Sequence, residues 1–252
     1  MSMAITLLRH ATLLVELGSQ RLLVDPMLDP AGAREAVEGT PSARRNPLVE
    51  LPAGWESALT DLDAILVTHT HDDHLDATAV ERLVGLGTPL LCQPDDAAEL
   101  VGRGFREVRP IGGTEALGDI EVTRTGGRHG VDPHLIEALA PVSGFVLRAG
   151  GQTLYVAGDT VWCPEVAAAL EQHRPDVIVA NTGGARFLEG SRITMDSWDV
   201  GVLARHAPGA QLVCVHLEAI NHCLLSRARL GSELEQAGVA ALVPHDGARL
   251  EL

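Results

Sequence analysis

The chain contains no lysine: all 19 of its basic residues are arginine, set against 34 acidic residues, for a formal net charge of −15. No physical function requires lysine to be missing, so the absence reads as a coding bias. The charge balance does bear on partners. A protein that grips nucleic acid presents a basic face to neutralise phosphates, and no dense arginine cluster occurs here, so no nucleic-acid partner is expected. Aromatic residues are only 3%, which leaves leucine, valine, isoleucine and alanine to fill the core. The four cysteines, Cys92, Cys163, Cys214 and Cys223, form no CxxC pair and read as small buried hydrophobes in a reducing compartment. No stretch approaches the roughly 18 apolar residues that span a bilayer, so no membrane partner is expected. Residues 1–18 are apolar but broken by Arg9, His10 and Glu16, and lack the regions of a secretory signal. The expected location is cytoplasmic.

What is present is an ordinary globular composition, 46% hydrophobic and 21% charged over 252 residues. Without linkers or low-complexity segments, residues 1–252 read as one domain, with a homo-oligomer left open. Ile5–Leu8, Thr12–Leu17 and Arg21–Asp25 are apolar runs separated by turn-sized gaps, the pattern of hairpin-joined strands. From 26 to 60 the pattern dissolves into a long loop or a few turns; such loops serve as lids, binding loops or plain surface excursions. Asp63–Thr68 reads as a buried strand and Asp76–Leu86 as a helix capped by Asp76. Strands follow at Leu90–Cys92, Glu107–Arg109, Gly118–Thr125, Ser143–Ala149 and Gln152–Ala157, with a helix at Asp95–Val101. The second half alternates: helix Pro164–His173, strand Val177–Ala180, helix Met195–His206, strand Gln211–Val215, helix Leu224–Gln236, then strands Ala240–Val243 and Ala248–Leu252. Such alternation in two similar halves implies helices packed outside a pair of sheets.

The chemistry concentrates in His69-Thr70-His71-Asp72-Asp73-His74, directly after an apolar strand. Alternate residues of an extended segment point the same way, so His69 and His71 can reach one metal ion. Asp73 and His74 follow as the chain turns toward Asp76, and can face a second. Imidazole and carboxylate suit zinc, and less selectively manganese or iron. One run cannot complete two coordination shells, so further ligands must come from elsewhere. His129, Asp159 and His216 each end a predicted strand, where a rigid scaffold presents functional groups. His222 and His245 compete with His216 as the last ligand; the strand before His216 favours it, and His245 fits a turn.

This run matches the HxHxDH signature of the metallo-β-lactamase superfamily, and His129, Gly158-Asp159-Thr160 and His216 match its later ligand motifs. The opening Arg9-His10-Ala11-Thr12 with Leu23-Val24-Asp25-Pro26 resembles the branch that includes the L-ascorbate-6-phosphate lactonases. The resemblance spans nearly the whole chain and implies an α/β fold, a four-layer αββα sandwich of two mixed β-sheets flanked by helices. It implies two divalent ions, one on His69, His71 and His129, the other on Asp73, His74 and His216, with Asp159 bridging. Asp25 would orient ligands, and His10 would lie near the metals or serve packing. Class B β-lactamases use cysteine where this chain has Asp159. Flavodiiron proteins place glutamate at the position of His71, which disfavours redox iron chemistry. Glyoxalase II proteins append a helical domain for which little chain remains after His216.

Two such ions can lower a water pKa from 15.7 to about 7, supplying hydroxide for attack on carbon or phosphorus, with Asp73 holding the proton. The substrate is expected to be a small molecule, an ester or lactone, carrying a phosphate in one variant of this reading. Phosphodiester hydrolysis is the alternative, and a metal-dependent sensor or binding protein the non-enzymatic one. Glu218, Asn221 and His222 could line the pocket or cap the nearby helix. Arg128, Arg186 and Arg192 could bind a substrate anion or lie solvated on the surface.

Overall fold

The computed structural model describes residues 3–252. Three antiparallel strands open it: β1 (Ala4–Arg9), β2 (Thr12–Leu17) and β3 (Gln20–Val24). Parallel strands β4 (Ala64–Val67), β5 (Leu90–Cys92) and β6 (Val108–Pro110) extend the sheet, with helices α1 (Ala77–Leu83) and α2 (Ala97–Gly102) between them. β7 (Thr114–Leu117), β8 (Ile120–Gly126), β9 (Ser143–Ala149) and β10 (Gln152–Val156) start a second sheet, with α3 (Pro133–Leu139) between β8 and β9. Then come α4 (Pro164–His173), β11 (Val177–Asn181), α5 (Ser197–His206), β12 (Gln211–Val215), α6 (Arg227–Gln236) and β13 (Arg249–Glu251). The sheets run β13-β1-β2-β3-β4-β5-β6 and β12-β11-β10-β9-β8-β7. These are the two mixed, helix-flanked sheets expected from the sequence.

The period-two pleat sorts the side chains into layers. On β2, Leu13 and Val15 point inward and meet Val122, Phe145, Leu147 and Val156 of the other sheet. Leu14, between them, points outward and joins Ile65, Val67, Ala79, Leu83 and Leu100 under α1 and α2. The outer face of the second sheet uses Val146, Tyr155, Ile178 and Leu212 against Val166, Leu170, Val200, Leu203 and Leu230 of α4, α5 and α6. At about 1.5–3 kcal/mol for each fully buried aliphatic side chain, these three layers give the rigid frame on which the strand ends are held.

Three expectations need correction. Ala240–Val243 is not a strand; it makes only an isolated bridge, Val213 to Leu242, because β12 is already the edge and the segment touches it at one point. The helix expected over Asp76–Leu86 ends at Leu83 and continues as a 3-10 turn to Leu86, stopped by Gly87 at φ 68°. The helix expected from Leu224 begins at Arg227, where the Ser226 side chain accepts from the Arg229 N–H.

Candidate metal centre

The carboxyl ends of the strands converge. His10 follows β1, Asp25 follows β3, Thr68 and His69 follow β4, Asp159 lies three residues beyond β10, Asn181 ends β11 and His216 follows β12. Three of these residues take a left-handed backbone that non-glycine residues seldom adopt: His10 (φ 61°), Asp25 (φ 44°) and His216 (φ 66°). The turn redirects each side chain from the strand axis toward a common point. The His216 N–H donates to the His10 carbonyl at 2.8 Å and so ties the two sheets together at the site. Gly158 is required before Asp159: its φ is 67°, and a Cβ there would sit 2.4 Å from the Ser143 carbonyl oxygen.

Potential ligand atoms fall into overlapping groups, each with its atoms within 4.8 Å of one another: His69, His71 and His129; His10, Asp73, His74 and His216; and His69, His74 and Asp159. Asp159 lies between them. Its Oδ2 is 3.4 Å from His74 Nε2 and 3.5 Å from His129 Nε2, and its Oδ1 is 3.3 Å from His216 Nε2.

The partners of the imidazoles fix which nitrogen carries the proton. Asp25 Oδ2 can only accept, so His74 Nδ1–H donates to it at 2.9 Å. The Ile193 carbonyl likewise accepts from His129 Nδ1–H at 2.8 Å. Thr68 Oγ1 donates to Asp25 at 2.9 Å and therefore accepts from His69 Nδ1–H at 3.0 Å. His216 Nδ1 faces Cys223 Sγ at 3.5 Å. His69, His74 and His129 thus direct Nε2 into the centre, where it can bind either a proton or a cation, and His216 Nε2 points there too. His74 Nε2 and His216 Nε2 are buried with no hydrogen-bond partner among the described residues. His69 Nε2 faces His71 Nδ1 at 2.9 Å, an approach that needs a proton or a cation between the two. Anchored outer nitrogens and inward Nε2 atoms suit a divalent cation, since this is how ligating histidines are oriented.

Charge agrees with that fit. Burial opposes protonation of His74, yet Asp159, Asp25 and Asp73 together lift it to about 10. Burial and Asp159 act in the same opposed way on His216, which is also raised. Burial raises the Asp73 and Asp159 carboxyls, but neighbouring imidazoles overcome this and hold both well below the usual carboxylate range. Burial, followed by His216, lowers His10 to about 3. His10 is therefore neutral and donates Nε2–H to Asp73 Oδ2 at 3.1 Å. The centre is a set of carboxylates that demands positive charge, which protons or metal ions could supply.

Above it opens a cavity of about 660 Å³. His71, Asp73, His129 and Asp159 form its floor, and Val37, Leu139, Phe187, Ile193 and Ile220 form apolar walls. Arg34 is the one arginine on the wall among the described residues, and it faces Asp29 at 2.9 Å and Asp72 at 3.7 Å.

Of the residues singled out in the sequence, His69, His71, Asp73, His74, His129, Asp159 and His216 come together, with His10 and Asp25 touching them. His222 lines the cavity. Six others go elsewhere. Arg128 is not on the wall; Glu165 holds it at 3.0 Å. Glu218 pairs with Arg227 at 2.7 Å. Asn221 binds the 36–46 loop instead of facing the cavity. Arg192 is engaged by Asp199 at 2.7 Å, Arg186 is not on the wall, and His245 lies exposed in a turn. Three participants are additional to the expected set. Asn181 donates to Asp159 Oδ1 at 2.7 Å, and its signal is a lone amide ending an apolar strand. Thr68 and Cys223 carry no signal beyond adjacency to a histidine.

Known proteins resemble this chain in sequence and fold. A family model described as a beta-lactamase superfamily domain matches residues 20–217. UPF0173 protein YddR of Bacillus subtilis is 34% identical over 249 residues, covering 97% of this chain and 98% of that protein. A UPF0173 metal-dependent hydrolase of Archaeoglobus fulgidus is 34% identical over 188 residues, covering 72% of this chain and 71% of its own. Among solved structures, a possible metal-dependent hydrolase from Veillonella parvula superposes with a TM-score of 0.95 at 31% identity, covering all of both chains. The isothiocyanate hydrolase from Delia radicum gut bacteria superposes with a TM-score of 0.91 at 33% identity, covering 98% of each.

Proposed function

Because the chain belongs to the β-lactamase superfamily, and within it to the UPF0173 metal-dependent hydrolases, we propose that it is a dinuclear hydrolase acting on electrophilic carbon. Its substrate is a small uncharged molecule with an apolar portion: an ester, a lactone or an isothiocyanate. The observation that carries this reading is the apolar-walled cavity opening directly onto both ligand groups. The likeness to an isothiocyanate hydrolase adds the third substrate type.

In this reading His69, His71 and His129 would hold one cation, Asp73, His74 and His216 would hold the other, and Asp159 lies within reach of both groups. Zinc suits these donors, with manganese or iron(II) as alternatives. A pair of divalent ions there supplies Lewis acidity and brings a water pKa down to about 7. Asp25 and Thr68 keep His74 and His69 oriented, and the Ile193 carbonyl does the same for His129. His10 holds Asp73 through its Nε2–H. The apolar walls place the substrate carbon over the floor and exclude bulk water. For an ester the balance is one water consumed and an acid and an alcohol released; an isothiocyanate plus one water gives an amine and carbonyl sulfide. A phosphodiester is less favoured, because Asp72, Asp73 and Asp159 line the cavity and Arg34 is already engaged.

A panel of γ- and δ-lactones, aryl esters, benzyl isothiocyanate and bis-p-nitrophenyl phosphate tests the reading on metal-loaded protein. Turnover at carbon with little at phosphorus is the expected result. Turnover of the phosphodiester alone would overturn it.

A further inference from the structure

One imidazole on the cavity wall has no partner. His222 is 7% exposed, and neither ring nitrogen makes a hydrogen bond among the described residues. Nδ1 is sealed from solvent and unpaired, which leaves Nε2 as the nitrogen open to the cavity that the residue lines. Phe187 lies parallel to the ring, with centroids 6.2 Å apart and planes 14° apart. Its backbone is tied down, the carbonyl accepting from the Arg186 N–H at 3.2 Å. The contrast with the floor is informative. There, His69, His74 and His129 have Nδ1 tied to a threonine, a carboxylate and a carbonyl. A buried polar atom left without a partner costs about 1–3 kcal/mol, and in a folded protein it calls for an explanation in chemistry.

We propose that His222 is a catalytic residue that donates an Nε2–H hydrogen bond to the substrate heteroatom departing from the attacked carbon. The assignment rests on the carbon-centred hydrolase reading above and names the group that meets its leaving atom. In an apolar pocket the lone pair is the cheaper group to leave unpaired, so Nδ1 is the bare nitrogen and the N–H faces the cavity. Burial lowers the affinity of this ring for a second proton, so it acts as a neutral donor, as imidazoles do where a developing negative charge must be met without prior ionisation. Asp73 is engaged otherwise: one oxygen accepts from His10 at 3.1 Å, and the carboxylate belongs to the ligand set. As the C–O or C–N bond breaks, its electron pair moves to the leaving oxygen or nitrogen. His222 stabilises that charge and keeps its own proton; the proton that completes the alcohol or amine comes from water.

The test compares leaving groups. Within the substrate class that the panel identifies, an aryl and an alkyl member sharing the same acyl or thiocarbonyl part are assayed with wild type, His222→Ala and His222→Gln, after metal content is measured on each. Loss of a preorganised donor costs about 10²–10³ in rate. That loss is expected in full for the alkyl substrate and at less than about tenfold for the aryl one. Glutamine, whose amide N–H reaches close to the Nε2 position, is expected to recover part of the alkyl rate, with metal content equal in all three proteins. Equal losses on both substrates, or loss of metal in both variants, would overturn the assignment. A metal-replete wild type inert toward every carbon electrophile removes the hydrolase reading instead, and this assignment with it.

Discussion

Replacing Asn221 with alanine perturbs the cavity without touching the candidate ligands. The Asn221 side chain is 3% exposed. Its Oδ1 accepts from Asn46 Nδ2 at 2.7 Å and the Val37 N–H at 3.1 Å; its Nδ2 donates to Thr40 Oγ1 and the Ser42 carbonyl, both at 2.6 Å. One amide thereby pins the segment that supplies Arg34, Val37 and Asn46 to the wall. Alanine would leave four polar groups unpaired at about 1–3 kcal/mol each if they stayed dry. Val37, Thr40 and Ser42 are only half-buried, so water repairs much of this and the net loss is roughly 2–4 kcal/mol. The loss falls on local opening, because the three core layers do not include this loop. Arg44 and Arg45 are exposed within it, so native-state trypsin cleavage reads the opening directly. At about 1.4 kcal/mol per tenfold, cleavage should accelerate by roughly 30- to 1000-fold when opening is in fast equilibrium. KM should rise while metal content holds. Cleavage at the wild-type rate would refute the pinning argument.

Asp25→Asn keeps a side chain that tolerates the φ of 44° but presents an N–H where His74 and Thr68 need an acceptor; metal affinity should weaken about 10–100-fold, as measured by competition with a chelating dye. Burial raises the Asp96 carboxyl above its ordinary value, so the folded state binds more protons than the unfolded one just above pH 3.8 and loses stability as pH rises through that window. Asp96→Asn, which can still accept from Gln93 Nε2, should therefore grow more stable relative to wild type as pH rises above the ordinary carboxyl range; a pH-independent difference in denaturation midpoint would contradict this.

What could be read in the sequence is what depends on local pattern. β2, β5, β9, α4 and β12 lie where the apolar periodicity puts them, because each has a face or a whole strand buried. β7 and α3 have no such signal. β7 is mostly exposed, and its partner β8 defines it as a strand. α3 buries no side chain at all. The seven ligand candidates were legible because strand-end histidines and aspartates are rare enough to stand out against a low-aromatic, leucine-rich background. Their partners were not. Arg128 and Glu165 are 37 residues apart, and Asn221 reaches its loop across 175 to 184 residues. Such pairings are set by how the sheets stack, and no periodicity encodes them. The 26–60 stretch shows why: Arg9 from one end of the chain and Asn221 from the other hold it in place.

The central claim, that two neighbouring cations share Asp159, is tested most directly by elemental analysis of the purified, metal-loaded protein beside His129→Ala and His216→Ala. Two divalent ions per chain in the wild type, with about one lost in each variant, is the predicted result. A single ion in all three proteins, or none in the wild type, would contradict it.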